Sequence, residues 1–353
     1  MFDWTKSMKQ TFEYYIVDPG TWKDMKRLEN VKSSTIKRDS TVDTLGSATI
    51  DVTESPGEAY VRIYLNAEDQ NGNVERPCLG TFLVQTPSSS FNGLIKNVSM
   101  DAYTPLLELT EDQPAIGYYT PKGQNIMDSV YRIFRDKMRG PVVKPNCDKT
   151  VFADFIADPN DTWLSYGRDL AASAKYEPIL DELGRTLFAP KQDINALQPV
   201  WTFNDDNSSI LYPDISMDHD LYGIPNVVEV IYSNGNDYYY ARVVNDDPNS
   251  PTSTVKRGRE IVRRVTDPSV IGDPTKDQIQ QYAEQLLREL SSIEYTISYK
   301  HGYCPVRVGD CVRLNYTRAG IVDVKAKVIS QSIKCTSGCE VTETATFTKK
   351  LWE

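Results

Sequence analysis

A single amphipathic helix set among β-rich stretches constrains this chain more than any other feature. The helix is predicted over residues 274–290, with Asp273 as its cap and Pro274 in its first turn. Ile279, Tyr282, Ala283, Leu286, Leu287 and Leu290 fall on one stripe. With no second helix alongside, that stripe must be buried against a sheet. The sheet is supplied on the N-terminal side by predicted strands 227–232 and 237–244, which face each other across Ser233-Asn234-Gly235-Asn236. An Asn-Gly pair favours such a turn because both residues tolerate positive φ. On the C-terminal side strands are predicted over 294–299, 311–315, 324–333 and 340–348, with Val308-Gly309-Asp310 opening a hairpin. The expectation is a C-terminal β-barrel, residues 223–353, carrying the helix on its outside.

The N-terminal part also reads as β structure. Strands are predicted over 11–17 and 47–53, stopped by Asp18-Pro19-Gly20 and Ser55-Pro56-Gly57. Residues 60–65 and 79–84 pair across a second Asn-Gly turn at Asn71-Gly72. Short strands at this spacing indicate a barrel or sandwich over residues 1–118. Between the β modules the period changes. Ile126, Val130, Ile133, Phe134 and Met138 form a helical stripe over 125–139, stopped by Gly140-Pro141. A second helix capped by Asp161 turns Trp163, Leu164, Leu170 and Ala174 inward, and 176–180 with 185–188 form a hairpin with Gly184 at a left-handed position. The fold class is therefore mainly β, two barrel modules flanking an α+β middle domain at 119–222.

With 353 residues the chain can bury a core without staples. No apolar run reaches the roughly 20 residues of a membrane helix, and the first residues carry no secretory pattern, so folding in the cytoplasm that makes it is expected. The formal net charge of −10 argues against binding nucleic acid by phosphate neutralisation. Carboxylates serve solubility first, and the same acidity would also keep DNA from sticking inside a conduit.

Reactive constellations are few. Cys304 and Cys311, with Cys335 and Cys339 around a Thr336-Ser337-Gly338 turn, are the candidate ligands of a zinc or iron–sulfur site. The competing reading is core filling, since neither pair has knuckle spacing. Cys78 and Cys147 read as lone buried thiols. Of the two histidines, His219 lies in Asp218-His219-Asp220, read as a solvated turn, and His301 is read as a surface residue within reach of Cys304. No nucleophile elbow or zinc-protease motif is present, so no catalytic residue is assigned. Tyr238 and Tyr240 share a strand face and are read as barrel core or subunit contact, against a sugar-stacking role.

In their order these segments resemble the baseplate hub, or tail-tip hub, proteins of long-tailed bacteriophages and related contractile injection machines. The resemblance is carried by Ile224-Pro225-Asn226-Val227-Val228, Tyr240-Ala241-Arg242-Val243-Val244, the helix ending at Leu290 and Pro305-Val306-Arg307-Val308-Gly309-Asp310-Cys311. Trp163-Leu164, Leu183-Gly184 and Leu79-Gly80-Thr81-Phe82-Leu83-Val84 extend it over nearly the whole chain. It implies a structural, non-enzymatic virion protein assembled in the host cytoplasm. The protein would form a homotrimer whose two tube-like barrels per subunit make a ring of six. Such a hub docks on a tail tube protein or distal tail ring, holds a threefold spike or tip, meets the tape measure protein, and lets DNA pass without specific binding. No cofactor and no membrane anchor are implied. The alternative is an envelope-acting enzyme or carbohydrate-binding module of a tail; the chain ends at Leu351-Trp352-Glu353, just after its last predicted strand, which leaves no length for a lytic extension.

Overall fold

The structure is a computed structural model that describes all residues except 1, 92, 95, 191, 193, 207–208, 220–221, 234–237, 267–274 and 351–353. Contacts group the chain into two compact units, 1–215 with 298–345 and 216–297 with 346–353. The stretch from 223 onward is thus divided between them.

The first unit is built on one large, mainly antiparallel sheet. From one edge its strands run Asp24–Arg27, Met8–Val17, Ala59–Asp69, Cys78–Phe91, Lys96–Tyr103, Gly46–Val52, Val31–Asp39 and Ile321–Lys334. Glu340–Lys350, Ser292–Gly302 and Leu211–His219 continue the order. The predicted pairing of 60–65 with 79–84 is present, with Tyr60 opposite Leu83 and Ile63 opposite Gly80. The C-terminal strands, by contrast, return to the N-terminal ones: Ile333 lies opposite Ile36 and Ser330 opposite Asp39. Among the described residues the order stays open from edge to edge and no closed barrel forms. Alternation marks a strand and its buried face but not its partner, which is why the sequence placed these strands in a module of their own.

Burial explains the composition of Ala59–Asp69. Val61, Ile63 and Leu65 point into the main core with Ile36, Ile50, Leu79, Met100, Ile333 and Val341, while Tyr60 packs on the opposite face with Val17 and Leu83. A strand covered on both faces needs a near-continuous apolar run. Arg62 interrupts that run.

The middle segment forms the expected helices. Ile126–Lys137 is capped by the Asn125 side chain, which accepts from the Asp128 N–H. Trp163–Ser173 is capped by Thr162 in a reciprocal capping box with Ser165, not by Asp161, whose Oδ1 instead accepts from Ser165 Oγ at 2.8 Å. The two helices meet where Gly167 has no side chain; a Cβ there would stand 2.4 Å from the Phe134 ring. Tyr176–Leu180 pairs with Thr186–Pro190, and Gly184 in their turn has φ +74°.

In the second unit a three-stranded sheet, ordered Tyr238–Val244, Val227–Ser233, Val262–Thr266, carries the helix Lys276–Leu290. Ile279, Ala283 and Leu287 are fully buried against Val228, Val230, Ala241 and Val243. Burying the Ile and Leu stabilises by roughly 1.5–3 kcal/mol each. Thr275 is the N-cap, boxed with Gln278; Asp273, Pro274 and the Asn234-Gly235 turn lie outside the described residues.

Candidate functional site

A dense polar construction in the first unit is a clasp around the Asp181–Gly184 turn. The turn is internally closed, Gly184 N–H to Asp181 C=O at 2.9 Å and Arg185 N–H to Asp181 Oδ1 at 2.8 Å. Its outward carbonyls are taken by the sheet. Trp22 Nε1–H donates to Leu183 C=O at 2.6 Å, and Thr81 Oγ1 and Cys78 Sγ each donate to Glu182 C=O at 3.1 Å. Trp22 holds this position with φ +58°, a left-handed backbone uncommon for a bulky residue. Arg62, 4% exposed, donates from Nε to Thr81 Oγ1 at 2.9 Å, from Nη1 to Asp24 Oδ1 at 2.8 Å, and from Nη2 to the Trp22 and Leu183 carbonyls. The planar guanidinium suits several acceptors at once.

A second set of contacts runs from the same turn toward the C-terminal strands. The Glu182 carboxylate meets Arg307 at 2.7 Å and Arg38 at 3.8 Å. Arg38 donates to Leu79 C=O and to Gln331 Oε1, and Gln331 donates to Val306 C=O and to Glu343 Oε1. Tyr299 OH donates to Glu343 Oε2 at 2.6 Å. His301 is fully buried rather than at the surface; its Nδ1–H donates to Gly302 C=O at 2.6 Å, and its Nε2 stands 3.4 Å from Glu343 Oε2 without hydrogen-bond geometry. Burial opposes the charge on Glu343, but His301 and the hydrogen bonds from Tyr299 and Gln331 outweigh it and hold the carboxyl below its ordinary value. Beside the clasp opens a cleft of about 430 Å³ lined by Leu79, Phe82, Pro105, Ile179, Leu187 and Val308 among others.

The candidate metal ligands are all buried free thiols: Cys304, Cys311, Cys335 and Cys339. Cys335 and Cys339 pack in the main core, and Cys304 Sγ lies 3.8 Å from His301 Nδ1. Among the described residues no three His, Cys, Asp or Glu side chains converge where a cation could sit, so the four thiols are not brought together. Burial pushes the Cys335 thiol up to about 11 and raises the other three as well, which disfavours the thiolate a metal or a nucleophilic reaction uses. Cys78 and Cys147 are half-buried, not core residues. Asp218 and His219 end the strand Leu211–His219, and Asp220, the third residue of that expected turn, lies outside the described residues. Tyr238 and Tyr240 are 65% and 45% exposed, so neither is core, while Tyr239 stacks on Tyr232.

No protein-family model and no curated protein matches the chain. Solved structures do. The tail protein from Neisseria meningitidis MC58 superposes with a TM-score of 0.64 at 14% identity, over 96% of this chain and 96% of that one. The 43 kDa tail protein of prophage MuSo2 from Shewanella oneidensis gives 0.63 at 11% identity, over 95% and 98%. The fold is that of phage tail proteins. The tail-protein fold also matches the Francisella PdpA-VgrG complex, with a TM-score of 0.58 at 8% identity, over 97% of this chain and 58% of that one.

Within this tail-protein fold the clasp is what sequence reasoning missed. Trp22, Arg38, Arg62, Glu182, Arg307 and Glu343 carry no motif. One signal was available: a strand as apolar as Tyr60-Val61-Arg62-Ile63-Tyr64-Leu65 buries its arginine, and a buried arginine needs several fixed acceptors.

Proposed function

We propose that the protein is a structural component of a phage-type tail, a homotrimeric baseplate or tail-tip hub. The observation that carries this reading is a fold likeness to tail proteins over nearly the full length of both chains. In this reading three chains, each supplying two tube-like β modules on either side of the α+β segment, make a ring that adapts a sixfold tail tube or distal ring to a threefold spike or tip. The tape measure protein reaches the ring from the tube side. The similarity to a complex containing VgrG supports a spike-like neighbour.

The chemistry of the role is interfacial burial and shape, and no reacting side chain takes part. The formal charge of −10 suits a conduit that DNA crosses without being held. The virion tail is the site of action, and assembly takes place in the host cytoplasm. Among the described residues no helix is long and apolar enough to cross a membrane. Negative-stain microscopy of the purified full chain tests the reading: threefold rings with an open centre support it, and a persistent monomer that cleaves or retains peptidoglycan overturns it.

A further inference from the structure

Two exposed surfaces of this chain are alike in having an apolar centre and opposite in charge. The first is the ribbon of Tyr119–Thr120 paired with Phe155–Ile156 in the first unit. Thr120 and Phe155 face inward, where both meet Tyr166. The register sets Tyr119 beside Ile156 on the outer side, 49% and 66% exposed, and the same two segments carry Ile116 and Phe152 at 94% and 90%. Four large apolar side chains exposed to that extent on two adjoining segments are what an interaction surface presents. Asp154 and Asp158, which flank the strand Phe155–Ile156, are exposed and in no ion pair among the described residues; the one cation on the ribbon, Lys122, lies over the Phe152 ring at 5.8 Å and donates its backbone N–H to Asp154 Oδ1 at 2.8 Å, so the carboxylates outnumber it.

The second surface is the stretch 255–263 in the second unit. It holds the short helix Thr254–Arg257 and enters the edge strand Val262–Thr266, whose outer side pairs with no strand among the described residues. Val255 and Val262 are 59% and 45% exposed. Lys256, Arg259 and Arg263 around them are exposed and in no ion pair among the described residues, whereas the neighbouring Arg242 and Arg264 are neutralised by Glu260 and Glu229. In a chain with a net charge of −10 an unneutralised basic stretch is the exception.

We propose that the apolar, acidic ribbon of one copy seats on the apolar, basic 255–263 stretch of a second copy. Either surface placed against itself would oppose like charges, so self-complementary pairing is disfavoured and the contact runs head to tail. A heterologous contact of this kind closes into a ring when its rotation permits. The inference rests on the hub reading and deepens it by naming the surfaces through which its subunits meet.

Light scattering of the full chain tests it. Arg259→Glu with Arg263→Glu is expected to raise the dissociation constant of the assembly by about tenfold or more, and adding Asp154→Arg with Asp158→Arg is expected to recover most of that loss. Circular dichroism should show an unchanged fold, since all four positions are exposed and the one local bond lost, from the Lys122 N–H to Asp154 Oδ1, lies in a surface turn. A wild-type trimer indifferent to both variants overturns the inference and leaves the hub reading standing. A wild-type chain that stays monomeric overturns both.

Discussion

Replacing Arg62 by methionine should undo the clasp while leaving the strand that carries it intact. Methionine retains most of the aliphatic stem, so the change isolates the guanidinium. That group donates to Thr81, Asp24, Trp22 and Leu183 from a side chain 5% exposed. Breaking a fully buried pair costs about 3–5 kcal/mol. Here the partner carboxylate of Asp24 is 28% exposed and still accepts from Tyr64 OH at 2.8 Å, so it can be rehydrated in place. Leu183 C=O keeps its bond from Trp22, and Thr81 keeps its bond to Glu182. A loss of about 2–3 kcal/mol follows, below the fully buried figure and above a single neutral hydrogen bond. Urea unfolding of the full chain, followed by Trp fluorescence, reads it as a lower midpoint at unchanged slope for the first unit's transition. Arg185→Ala is the control: that residue pairs with Asp181 from a side chain 48% exposed and should cost under about 1 kcal/mol. An Arg62→Met protein within about 0.5 kcal/mol of wild type would refute the claim that these carbonyls are held by a buried charge.

Three further outcomes are expected. Glu343 has a folded-state carboxyl below its ordinary value, so its contribution to stability is present above the unfolded pKa of about 4.3 and is lost as pH falls through the folded value; the melting-temperature gap between wild type and Glu343→Gln should therefore hold near neutral pH and shrink as the pH is lowered below about 4.3, and a gap that widens there would contradict the assignment. Gly167→Ala, which drives a Cβ to 2.4 Å from the Phe134 ring, should destabilise the first unit by about 1–3 kcal/mol in thermal unfolding, and a neutral result would mean the two helices can part at no cost. Elemental analysis of anaerobically purified protein should find neither zinc nor iron at stoichiometric level; a full equivalent of either would show that the buried thiols of Cys304, Cys311, Cys335 and Cys339 rearrange around a metal.

Local structure was largely legible in the sequence because its causes are local. The helix stripe ending at Leu290, the 125–139 stripe, the Gly184 turn and the pairing of 60–65 with 79–84 all follow from period and turn chemistry. Long-range partnership was not legible. Nothing in the alternation of Ile321–Lys334 says that it meets Val31–Asp39, because an alternating strand satisfies its hydrogen bonds with any neighbour of matching face. The site was read least well for a related reason. His301 looked like a surface residue because histidine is polar, and it is buried because Glu343, held by Gln331, arrives from another strand beside it while Tyr299 lies two residues before it on its own strand. Four cysteines close in sequence looked like a ligand set, yet the tight turn between Ile321–Lys334 and Glu340–Lys350 tucks Cys335 and Cys339 into the apolar core.

The reading of this tail-protein fold as a hub depends most directly on its assembly state. Native mass spectrometry of the full-length chain, at micromolar concentration and low salt, is predicted to give a dominant species of three chains. A spectrum of single chains persisting across the concentration range would contradict it.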